Sequence, residues 1–123
     1  MNAMKITFQD GPEAREWLRH SNHESALAHN RFDSTASALA FVEQLYAAGA
    51  RRVFVPGDSI VADEEELAMG GPYSDHLVIE LYTPDVPPVL AALYRAEATL
   101  DGWTRSDDWL PVIRDQFLLL WWS

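Results

Sequence analysis

Apolar residues recur along this chain at two spacings. Ala38, Phe41, Val42, Leu45 and Ala48 follow the intervals of one helical face. Asp33, Ser34 or Thr35 precedes that run and can accept the free amide hydrogens of a first turn. Gly49 follows at once and takes the positive φ with which helices commonly end. Beyond it, Val53, Phe54 and Val55 are β-formers, closed off by Pro56 and Gly57. The stretch from His76 to Tyr82 alternates: Leu77, Ile79 and Leu81 point one way, and His76, Val78, Glu80 and Tyr82 the other. Phe54 joins the second set if Val53 and Val55 face inward. Pro87 or Pro88 opens a second helix carrying Leu90, Leu93, Tyr94, Glu97 and Leu100, with Gly102 as its stop. Gln116 to Trp122 is the final strand, apolar at both parities from Phe117 onward.

With residues 26–32 read as a first, weakly alternating strand, the order from Ala26 is β-α-β-β-α-β. That order predicts an α+β fold of the ferredoxin-like kind: an antiparallel sheet with two helices on one face, its first and third core strands in the centre. The chain reads as a single domain, 1–123. Residues 1–25 form an N-terminal appendage, with a strand at Met4–Phe8 and a short helix carrying Trp17 and Leu18. Residues 26–123 form the core. If the helices cover only one face of the sheet, the other is too apolar to stand in water. Three covers are possible: the N-terminal segment, the connection carrying Trp103 and Trp109, or another molecule. Phe54, His76, Val78, Glu80, Tyr82, Trp121 and Trp122 are therefore the expected ligand or partner surface, and a homodimer through sheet faces or edges is one way to use it.

Charge narrows the partners. The formal net charge is −10, from 9 basic and 19 acidic side chains in 123 residues. Such a surface repels nucleic acid and anionic membranes, and Arg51–Arg52 is the lone adjacent basic pair. A basic protein is the partner that this charge favours. The chain has no cysteine, which removes disulfides, thiolate metal sites and a cysteine nucleophile. That composition, and the absence of an apolar leader in the first residues, lead to the expectation of a cytoplasmic protein.

Candidate chemistry is sparse. His20, His23 and His29 lie close in sequence, with Glu24 beside them, but no further ligand set completes a metal site, and surface or capping roles are expected. Asp63 to Glu66 are four consecutive acids that cannot all face one point, so a solvated acidic turn is expected and no metal is assigned. Pro56 to Ser59 reads as a turn, not a nucleophile elbow. Nucleotide fingerprints are absent, and no cofactor is expected. His76, Glu80 and Tyr82 share a strand face and offer an alternative, a small enzyme with an acid–base pair in a sheet-face cleft.

Phe41–Val55, His76–Tyr82 and Asp115–Trp122 together resemble small bacterial ferredoxin-like domains of uncharacterised function. The resemblance covers roughly residues 26–123 and rests on a helix cap and strand alternation. It implies the fold and no catalytic residue. The acidic loop from Gly57 to Asp75 and the first 25 residues lie outside it. The resulting expectation is a non-catalytic binding or regulatory domain that recognises a protein or small ligand through the sheet face or the acidic loop.

Overall fold

The structure, a computed structural model, describes residues 10–100, 113, 114 and 116–122. The expected strand at Met4–Phe8, the Gly102 stop and the connection with Trp103 and Trp109 lie outside the described residues. In chain order the elements are α1 (Ala14–Arg19), α2 (Thr35–Ala47), β1 (Arg52–Phe54), a 3-10 turn (Gly57–Ser59), α3 (Glu64–Ala68), β2 (His76–Glu80), α4 (Pro88–Leu100), β3 (Ile113–Arg114) and β4 (Phe117–Trp121). The architecture is α+β. Among the described residues no helix is long and apolar enough to cross a membrane.

Local rules set α2. Ser34 is its N-cap, accepting the Ser37 amide at 3.1 Å. The face buried is Ala38, Phe41, Val42 and Leu45. Gly49 then turns the chain at φ +118°, so that Arg51 enters β1 already bonded to the Glu80 carbonyl.

Four strands pair antiparallel in the order β1-β2-β4-β3. Val53 lies opposite Ile79, and Ile79 opposite Leu118. The third expected core strand, β2, is central. Its neighbour, however, is β4, where the ferredoxin-like order places the first strand. Residues 26–32 form no strand; Leu27 makes one parallel bridge to Ser74. The cause is local. Ala28 adopts φ +45°, and the amides of Arg31 and Phe32 both return to its carbonyl. Those groups close a turn and are lost to a ladder.

The first helix is built into the body. Ala14 and Leu18 are buried in the same cluster as α2, β1 and β2. Ahead of α1 the backbone lies along the outer edge of β1. Glu13 bridges Phe54, the Val55 amide donates to the Pro12 carbonyl at 2.9 Å, and the Gly57 amide to Asp10 at 3.3 Å. Gly11 permits this approach, since a Cβ there would sit 1.9 Å from the Val55 oxygen.

Alternation sorts the sheet as expected on the helix side: Val53, Val55, Leu77, Ile79 and Leu81 join one core with Phe41, Leu45, Leu90 and Tyr94. The second face differs from expectation in what it exposes. Phe54 and Val78, expected as contact surface, are 1% and 0% exposed. Trp122 is corrected as well. Parity along β4 puts Leu118, Leu120 and Trp122 on the helix side. Its ring packs edge-on against Phe32 at 5.6 Å. The indole N–H donates to Glu97 Oε2 at 3.1 Å. Arg31 grips the same buried carboxylate with Nη2–Oε1 at 2.6 Å and Nε–Oε2 at 2.9 Å. This is why a glutamate can occupy a helix's inner face: its charge is paired and its oxygens are satisfied.

Candidate functional site

Two motifs that lie far apart in sequence meet in space. Asp63 caps α3 by accepting the Glu66 amide at 3.0 Å, and the acids of the first turn suit the positive end of the helix. Nothing in α3 is buried, so α3 needs an outside anchor. Gly70, at φ +121°, provides the approach: a Cβ there would lie 2.2 Å from the Asn22 carbonyl oxygen. The end of α3 thereby lies against the segment that carries His23.

His23 is the anchor's other half. Its side chain is 4% exposed, and Nε2 lies 2.8 Å from Glu66 Oε1. The Ser25 amide approaches Nδ1 at 3.0 Å. A backbone N–H can only donate, so Nδ1 accepts and the ring proton sits on Nε2, given to Glu66. Thr35 fixes the same segment from α2, donating to the His23 carbonyl at 2.6 Å and accepting the Ala26 amide at 2.9 Å. On the far side, the His29 amide donates to the Tyr73 hydroxyl at 3.1 Å, and the two rings meet edge-on at 5.2 Å. Burial holds the Tyr73 hydroxyl protonated above the usual tyrosine range; the Asp75 and Glu66 charges add to this, against the His29 amide.

Between these parts opens a cleft of about 500 Å³, lined by His23, Glu24, Ser25, His29, Glu65, Glu66, Ala68, Met69 and Tyr73. Among the described residues no lysine or arginine lines it. Both ring nitrogens of His23 are engaged, so that imidazole is not free to take a proton from a nucleophile; His29 also lines the cleft, its Nδ1 3.3 Å from the Tyr73 hydroxyl. Glu24 and Glu65 present acceptors.

The other residues singled out in the sequence fall apart from it. His20 is exposed, its Nδ1 2.8 Å from the Glu16 carbonyl. His76 sits 2.6 Å from Asp75, while Glu80 is taken by Arg51 at 3.1 Å. Four residues of strand separate His76 and Glu80 by about 13 Å, so they form no acid–base pair. Tyr82 lies beyond the strand end and is 69% exposed. Trp121 is half-buried opposite His76 in register. Ser59, in the turn, donates to the Pro56 carbonyl at 2.7 Å, as a turn residue would. Among the described residues no cluster of histidine and carboxylate has metal-ligand geometry.

Sequence reasoning weighed the histidine run and the acidic run separately and missed their meeting. One signal was present: Gly70-Gly71 after Asp63–Met69 marks a helical turn that must end abruptly. What it docks on is a tertiary matter. No family model, no curated protein and no solved structure matches the chain.

Proposed function

We propose that this chain is a non-catalytic binding domain that recognises a basic protein through the acidic cleft beside α3. The observation that carries this reading is the cleft lining: Glu24, Glu65 and Glu66 with Met69 and Tyr73, and no cationic lysine or arginine among the described residues. Charge complementarity of that kind steers a positive partner and rejects a negative one. The sheet face is the weaker surface, because Phe54 and Val78 are already out of solvent within one chain. The lack of cysteine suits a cytoplasmic setting.

The test is capture from the native cell with three baits. Wild type and Tyr82→Ala should retain the same partner, and Glu24→Gln/Glu65→Gln should lose it, increasingly so with added salt. Loss with Tyr82→Ala and retention by the double variant would move recognition to the sheet end.

A further inference from the structure

Three of the described arginines share one setting. The Arg15 guanidinium lies 3.6 Å from the Tyr46 ring centroid, with Nε 3.1 Å from Glu43. Arg52 lies 4.3 Å from the Phe54 centroid and 2.8 Å from Asp10. Arg31 lies 4.7 Å from the Phe32 centroid while it grips Glu97. Each is a planar cation set on an aromatic face and held by a carboxylate while still about a third exposed. The cleft presents the receptor half of this arrangement. Tyr73, Glu65 and Glu24 all line it, Glu66 spends Oε1 on His23, and the Tyr73 ring meets His29 at 5.2 Å and His23 at 6.0 Å between centroids.

We infer that the cleft receives an arginine side chain of the basic partner, with the guanidinium against Tyr73 and between the cleft's carboxylates. This rests on reading the cleft as the binding surface. A protein suits the surroundings better than a free amine. Met69, the C-cap of α3 and part of the cleft lining, is 55% exposed; Leu67 on α3 and Val61, which bridges Tyr73, are 54% and 42% exposed. Apolar residues around a charged centre are what a protein interface uses to exclude water. Lysine would satisfy the charge but not the plane, so arginine is preferred over lysine.

The experiment titrates labelled full-length protein with N-acetyl-arginine amide, N-acetyl-lysine amide and N-acetyl-citrulline amide, the last a neutral isostere of the first. The Met69 methyl and Tyr73 ring resonances report binding. The arginine probe should shift both and saturate, the lysine probe should bind more weakly, and the citrulline probe should do neither. Glu65→Gln should weaken the arginine probe roughly two- to fivefold, the span of an exposed ion pair. Tyr73→Phe should keep the preference for arginine over lysine, and Tyr73→Leu should lose it. Equal shifts from citrulline, or none from arginine at these two residues, would overturn the inference. If the cleft variants still abolish partner capture in that case, the binding surface stands and only the arginine is wrong. If the arginine probe binds while capture ignores the cleft, the surface itself is misassigned.

Discussion

The two flanks of this molecule treat negative charge in opposite ways. Along α1, α2 and β1, carboxylates are matched: Glu43 with Arg15 and Arg19, Glu80 with Arg51 and Arg52, Asp10 with Arg52. Beside α3, Glu24 and Glu65 line a cleft without lysine or arginine among the described residues. The first arrangement ties elements together. The second leaves exposed charge without a cationic partner among the described residues, where it raises self-repulsion and stabilises the fold only through the α3 dipole. A net charge of −10 is thus two different things: a solubilising background over matched pairs, and a local excess that a partner can neutralise.

This contrast can be tested by removing carboxylates from each side. The largest effect is expected inside, where matching is tightest. Glu97→Ala strips Arg31 and the Trp122 indole of their shared partner and should cost about 3 kcal/mol, read as a fall in urea midpoint. Next comes the joint between the flanks. Gly70→Ala forces a Cβ onto the Asn22 carbonyl at a φ suited to glycine and should cost about 2 kcal/mol. Because α3 buries nothing, that loss should surface as faster exchange of the Ser25 amide; unchanged exchange would mean α3 does not hold His23 in place. Tyr46→Phe should cost about 1 kcal/mol, since the hydroxyl donates to Glu13 and accepts the Val53 amide.

The same hydroxyl gives a pH signature. Burial first, then the Glu13 bond, pushes its pKa up to about 12. In the unfolded chain it ionises near 10, so the folded state binds the extra proton between those values. Its contribution is whole below pH 10 and is lost as pH rises towards 12. A denaturation series across that window should show the decline, shallower in Tyr46→Phe, with the remainder carried by Tyr94 and Tyr73, whose hydroxyls burial also holds protonated. The smallest effect belongs to the cleft. Glu65→Gln should leave the urea midpoint within about 0.5 kcal/mol or raise it. A large loss there would mean the cleft is matched after all, and the contrast would fail.

What the sequence made legible was whatever the chain decides locally. The α2 face and its Gly49 stop and the alternation of β2 all follow from neighbours two to four residues away. The sheet order did not, because it turned on Ala28. Alanine carries no mark of a positive φ, and that one residue converts an apolar run into a turn. Trp122 escaped for a related reason. Both parities of β4 are apolar, so pattern alone could not say which indole faces the helices; the buried Glu97 that takes its N–H decides it. The cleft was hidden by distance, since its walls come from residues 23–29 and 65–73, brought together by the close pass of Gly70, the His23–Glu66 contact and the backbone bonds of Ala26 and Ala28 to Ser74.

The strip of backbone from Asp10 to Glu13 has a consequence for how copies of this chain meet. Its carbonyls already take up the hydrogens that the rim of the sheet would otherwise hold out to a stranger. A second molecule cannot lengthen the sheet on that flank without first peeling the strip away. Runaway edge pairing is hindered there by residues 10–13, a guard made of backbone already paired.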